Sequence, residues 1–155
     1  MTQPSHKKPQ SVDPRRLKLT NDAGTQGVLL GSRCRQCGVC CFGPAAFCPA
    51  CTAGDLEPVE LSGRGAIYSY TIVRVPPAGW PGKVPYILGQ VELPEGPHVL
   101  AEVIDCDEAD LQIGVPVELA LSPVQAEGAE VVKVVYKFRP QSFGGRTAGA
   151  VKEKP

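Results

Sequence analysis

The 155-residue sequence predicts a mainly β protein, with a metal-stapled zinc ribbon near its N-terminus followed by a five-stranded closed barrel of the OB type. Three observations lead there. Six of the seven cysteines fall within nineteen residues, Arg33–Cys51, reading RCRQCGVCCFGPAAFCPAC. After Cys51, about five segments rich in β-branched and aromatic residues alternate with Gly- and Pro-bearing turns. Seventeen glycines and sixteen prolines leave no convincing long helix. A sandwich is the competing architecture for the same strands. Hydrophobic content of 43% supports a packed core, and the length admits one small domain plus a metal-held module.

The outer four cysteines form two C-x-x-C pairs, Cys34/Cys37 and Cys48/Cys51, separated by ten residues. In such a knuckle the chain reverses so that both sulfurs point the same way, and two facing knuckles offer the tetrahedral thiolate set that suits structural zinc. Gly38 and Pro49 fit the tight turns this requires. Iron is the alternative, because Cys34, Cys37 and Cys40 are spaced C-x-x-C-x-x-C and Cys48 precedes Pro49. That pattern breaks where seven residues, not three, separate Cys40 from Cys48. A disulfide or free-thiol arrangement is the third option. Cys40 and Cys41 are spare, as small buried hydrophobes, exposed thiols or an alternate ligand register.

Sixteen basic and sixteen acidic side chains cancel, which argues against a nucleic-acid binder held by bulk electrostatics while leaving room for a local patch. No apolar run of about 18 residues predicts a membrane span, and MTQPSHKKPQ lacks the apolar segment of a secretory signal. The expected location is cytoplasmic, where clustered cysteines are more readily metal ligands than disulfides.

Residues 1–27 read as a polar, partner-docking tail with Pro4, Pro9 and Pro14, although DPRRLKL offers a short helix start capped by Asp13. Gly27–Gly31 reads as a strand entering the first knuckle, and residues 28–56 form the ribbon. The barrel occupies residues 57–140. Its strands are placed at Ala66–Val75, Tyr86–Leu93, His98–Ile104, Val115–Leu121 and Val131–Arg139, the last with Lys133 and Lys137 facing water. Pro76–Pro85, with four prolines and two glycines, is a loop. Residues 141–155 read as a flexible C-terminal tail.

This succession resembles a known family of two-module proteins, long labelled a domain of unknown function, in which a rubredoxin-like zinc ribbon precedes an OB-fold. The matching residues are Cys34-Arg35-Gln36-Cys37-Gly38, Cys48-Pro49-Ala50-Cys51, Gly63-Arg64-Gly65-Ala66-Ile67-Tyr68-Ser69-Tyr70-Thr71, Pro85-Tyr86-Ile87-Leu88, Val91-Glu92-Leu93, Leu111-Gln112-Ile113-Gly114-Val115-Pro116-Val117 and Tyr136-Lys137-Phe138-Arg139-Pro140. They span roughly residues 28 to 140 and are specific as a set. The resemblance implies a noncatalytic small subunit accompanying a thiolase, hydroxymethylglutaryl-CoA synthase or acyl-CoA hydratase, stabilising that partner and helping bind coenzyme A. One branch is similar to the small subunit of the thiolase that cleaves 2-benzoylsuccinyl-CoA in anaerobic toluene degradation. Family members often carry a Phe-Pro-Pro-Arg-like segment between the knuckles. Here Phe42-Gly43-Pro44-Ala45-Ala46-Phe47 has no arginine, so contacts made through it do not carry over.

Catalysis by this chain alone lacks a base–nucleophile pair. His6 lies in the tail, His98 reads as a surface or half-buried strand residue, and Cys106 in DCDEAD should have a raised thiol pKa. Trp80, flanked by Pro77, Gly79, Pro81 and Gly82, is placed to stack on an adenine or pantetheine arm, with Arg64, Arg74 and Lys83 as phosphate partners. The plainer reading has Trp80 capping the barrel and the cations solvated. Single-strand nucleic-acid binding through Tyr68, Tyr70 and Tyr86 is the second function class, and a rubredoxin-like electron carrier the third.

Overall fold

The computed structural model describes residues 8–125 and 128–141. His6 and the expected tail beyond Gln141 lie outside them. The strands in chain order are β1 (Gln10–Ser11), β2 (Leu17–Leu19), β3 (Gly27–Cys34), β4 (Cys40–Phe42), β5 (Leu56–Leu61), β6 (Arg64–Val73), β7 (Tyr86–Glu92), β8 (His98–Val103), β9 (Pro116–Val124) and β10 (Lys133–Pro140), with a 3₁₀ turn at Glu108–Asp110.

Five of these close a barrel in the order β6-β7-β8-β10-β9, with β9 returning to β6 through the Arg64↔Glu118 and Ala66↔Pro116 register. β8 and β10 are parallel neighbours and the other pairings are antiparallel, so the sheet curls on itself and the sandwich alternative falls away. A register shift between Ile67 and Ser69 places a bulge at Tyr68, which bends the long β6 around the barrel. Alternation follows burial in β8, where Val99, Ala101 and Val103 point inward.

The ribbon is a second sheet built on β3. One edge of β3 pairs with β5 along its length, and the other pairs with β2 and then with β4. β5, which opens the expected barrel segment, thus takes its backbone partners from the ribbon. At Gly31 a Cβ would stand 2.4 Å from the Cys41 carbonyl oxygen, so only glycine lets β4 approach this closely.

Residues 8–27 were expected as a tail, yet β1 runs parallel to β10 (Gln10↔Lys133) and β2 pairs with β3 (Leu17↔Leu29). The Asp13 cap survives as a single turn, in which the Arg15 and Arg16 side chains hold the carboxylate and the Leu17 N–H reaches the Asp13 carbonyl. The turn swings Leu17 into one core with Leu29, Leu61, Ile67, Val91, Val117 and Phe138. Burial of that leucine, at 0% exposure, is what anchors the segment.

Lys137 also departs from expectation. Its ammonium lies 2.6 Å from the Glu102 carboxylate and its side chain is only 20% exposed, because β8 and β10 lie side by side here. Lys133 is exposed, as expected, and donates to the Gln10 side-chain oxygen at 3.0 Å.

Candidate functional site

The two knuckles are built alike. Gly38 N–H donates to the Cys34 carbonyl at 2.9 Å and Thr52 N–H to the Cys48 carbonyl at 2.9 Å, while Cys34 N–H bonds Val39 and Cys48 N–H bonds Ala53. Each tight turn ends in a left-handed residue, Gly38 (φ 77°) in the first and Thr52 (φ 62°) in the second. The turns bring the sulfurs of Cys34, Cys37, Cys48 and Cys51 within 4.8 Å of one another. The Cys34–Cys51 and Cys37–Cys48 sulfur separations are 3.6 and 3.4 Å.

A tetrahedral zinc–thiolate centre with metal–sulfur bonds of about 2.3 Å has sulfur–sulfur edges of about 3.8 Å. The four sulfurs therefore need only small shifts to hold such a metal. Their electrostatics point the same way. Backbone N–H groups of Cys37 and Gln36 lower the Cys34 thiol, and those of Cys51 and Ala50 bring Cys48 down to about 6. Cys37 accepts the Val39 N–H, which acts downward, yet the adjoining Cys48 sulfur and burial carry it up to about 12. Cys51, opposed by the Ala53 N–H, is also raised by its neighbour Cys34. So close together, four thiolates repel one another unless a cation with a taste for soft ligands neutralises them. Residues Cys34, Cys37, Cys48 and Cys51 fit a metal such as zinc, which when bound would cross-link the knuckles.

Cys40 and Cys41 stand outside this set. The Cys40 sulfur is 3.4 Å from the Arg33 Nε across the β3–β4 pair, and burial raises the Cys41 thiol. Cys106 is raised first by burial and then by Asp110 and Asp107, the direction that opposes nucleophilicity. His98 is half-buried, bonded through Nδ1 to the Gln90 amide at 2.9 Å and packed on Tyr68 with ring centroids 4.4 Å apart.

The other candidates do not converge. Arg64 opens β6 and Arg74 follows its last residue, Val73, so the two lie at opposite ends of a ten-residue strand. Arg74 is tied to Glu108 at 3.0 Å. Arg64 lines a cavity of about 390 Å³ with Arg139, whose guanidinium is 3.1 Å from Glu118. Trp80 and Lys83 do meet, on a groove of about 740 Å³ lined also by Tyr86, Glu102, Tyr136 and Lys137. There the Trp80 and Tyr86 rings stack at 4.3 Å and 17°. Sequence reading missed Glu102, Tyr136 and Lys137, since nothing local to VVKVVYKFR says which strand faces it.

Comparison with known proteins follows the same outline. The family described as the C-terminal OB-fold domain of ChsH2 matches residues 58–122. A DUF35 domain-containing scaffold protein of Methanothermobacter thermautotrophicus is 37% identical over 116 residues, covering 74% of this chain and 87% of that protein. The benzoylsuccinyl-CoA thiolase subunit BbsA of Thauera aromatica is 33% identical over 122 residues, covering 75% and 78%. Both alignments cover more of this chain than residues 57–155, so each extends into the ribbon segment. A solved structure, the Ltp2-ChsH2(DUF35) aldolase, superposes with a TM-score of 0.58 at 31% identity, covering 73% of this chain and 84% of that one. At 37% identity to a DUF35 domain-containing protein over 87% of that protein, this chain belongs to the DUF35 domain family.

Proposed function

We propose that this chain is a noncatalytic accessory subunit of a thiolase-type acyl-CoA enzyme complex, with a structural zinc in its ribbon. The observation that carries the reading is similarity to a scaffold protein and to a thiolase subunit, over 74% and 75% of this chain. The interior agrees with a supporting role. Among the described residues His98 is engaged by Gln90 and Tyr68, and Cys106 is raised, so neither is poised as a base or nucleophile. No helix among the described residues is long and apolar enough to cross a membrane, and a cytoplasmic complex suits the reduced cysteines. A 2-benzoylsuccinyl-CoA thiolase is the specific partner enzyme this reading favours.

The zinc fixes the knuckles, because a ribbon this short has little core of its own. For coenzyme A the chain offers Arg64, which has no acidic partner among the described residues and faces a cavity that a catalytic subunit would complete. The test is native-mass and metal analysis of tagged protein purified gently from its own cell. One zinc per chain with a co-purifying thiolase-type enzyme of about 400 residues is the expected result. A solitary chain carrying nucleic acid, or a red iron protein, overturns it.

A further inference from the structure

The barrel is not closed evenly. β8 and β10 share a single paired position, Val103↔Phe138, while β1 covers β10 only at Lys133 and Val134. Between these contacts the seam is open, and the groove of about 740 Å³ lies along it.

Backbone alternation shows what faces this gap. Successive N–H and C=O groups of a strand point to opposite sides. The carbonyl of Val134 accepts from Val12 N–H at 2.9 Å, and that of Phe138 from Ile104 N–H at 2.8 Å, so both face away from β9. Tyr136, midway between them, directs its own N–H and C=O the same way. No strand among the described residues pairs with it in a ladder, although β8 approaches at the next residue, where Glu102 meets Lys137. An unpaired donor and acceptor side by side on a strand edge is the arrangement that another main chain satisfies.

The side chains around the opening narrow the choice. The stacked Trp80 and Tyr86 rings form an apolar wall, and the Trp80 indole N–H is buried without an acceptor. Lys137 is neutralised by Glu102, whereas Lys83 forms no ion pair among the described residues, although Asp105, Asp107 and Glu108 line a neighbouring cavity with it. One uncompensated cation beside Glu102 suits a single acidic side chain and is poorly matched to the multiple phosphate charges of coenzyme A.

We propose that the β8–β10 seam docks an extended segment of a partner protein, pairing its main chain with Tyr136, laying an apolar or prolyl side chain on Trp80 and Tyr86, and meeting Lys83 with a carboxylate. This rests on the accessory-subunit reading for the partner's identity, though the seam geometry is independent of it.

The test is amide hydrogen exchange resolved to single residues, on the full chain alone, with coenzyme A, and in the complex that co-purifies with it. The Tyr136 amide exchanges rapidly in the chain alone and with coenzyme A, and slows at least about tenfold in the complex. Lys83→Glu weakens association about tenfold, and Trp80→Ala weakens it too, while both free variants keep native exchange in β9 and β10. Protection of Tyr136 in the chain alone or by coenzyme A alone overturns the proposal, as does a Lys83→Glu complex as tight as wild type. A thiolase-type partner that leaves Tyr136 unprotected sinks the seam and spares the functional reading. A partner of another class that protects Tyr136 does the reverse, and a chain that purifies with no partner sinks both.

Discussion

The Phe42 ring meets the Tyr136 ring edge-on, with centroids 5.5 Å apart and planes at 79°. Phe42 ends β4, the strand between the two cysteine knuckles, and Tyr136 lines the groove at the barrel seam. The Arg16 guanidinium lies over the Phe42 ring, 6.0 Å from its centre. The cysteine ribbon and the groove are therefore in contact through this ring pair.

Cys48→Ser removes one of the four clustered thiols, at a residue that is 2% exposed. The variant is expected to lose stoichiometric zinc and to raise hydrogen exchange in β4, while the barrel strands β6 to β9 keep theirs. Metal analysis with residue-resolved exchange checks this. Full zinc content would remove Cys48 from the ligand set.

Thr52 adopts a left-handed backbone at φ 62°, where Gly38 serves in the companion knuckle. A β-branched residue there is strained by about 1–2 kcal/mol, part of which glycine returns as chain entropy. Thr52→Gly should raise the unfolding free energy of the zinc-loaded chain by up to about 1 kcal/mol. A measured loss in denaturant unfolding would mean that the Thr52 Oγ1 bond to the Cys51 carbonyl, at 2.6 Å, outweighs the strain.

Leu17 is fully buried although it lies in a segment with a polar composition. Leu17→Ala should cost about 2–5 kcal/mol in urea unfolding, as for other large-to-small core changes. A cost below about 1 kcal/mol would show that residues 8–27 are not part of the cooperative core.

The Asp13 carboxyl is lowered to about 2 by the Arg15 side chain, then the Arg15 N–H, with Arg16 adding to it. A depressed folded-state value stabilises above the unfolded value of 3.8, and that contribution is lost as pH falls from there toward about 2. A nuclear magnetic resonance titration should therefore find Asp13 ionised at pH 3, with the Phe42 and Tyr136 ring signals shifting only below that pH. A normal carboxyl midpoint would dissolve the Asp13–Arg15–Arg16 cluster.

Much of the fold was legible in the chain because its determinants are local. Gly63, at φ 68°, and the Pro94–Pro97 connection bound segments whose composition already favours strands. C-x-x-C spacing dictates a knuckle whatever lies around it, so the four cysteines that cluster could be named from spacing alone. The phosphate candidates were less secure, since a cation's role depends on what stands across from it. Among them Arg74 faces Glu108, just as Lys137, expected to face water, faces Glu102, neither acid a neighbour in sequence.

What the amino-acid order determined by itself was the paired knuckles, five barrel strands and the Trp80 loop, each encoded within a dozen or so residues by turn chemistry and side-chain period. Tertiary structure alone decided that β1 joins β10 across 123 residues, that Leu17 enters the core, and that Tyr136 has no ladder pair with β1 or β8. Those outcomes follow from barrel closure, in which strands distant in sequence compete for the same edge and the winner is set by shape and burial, quantities that no local pattern records.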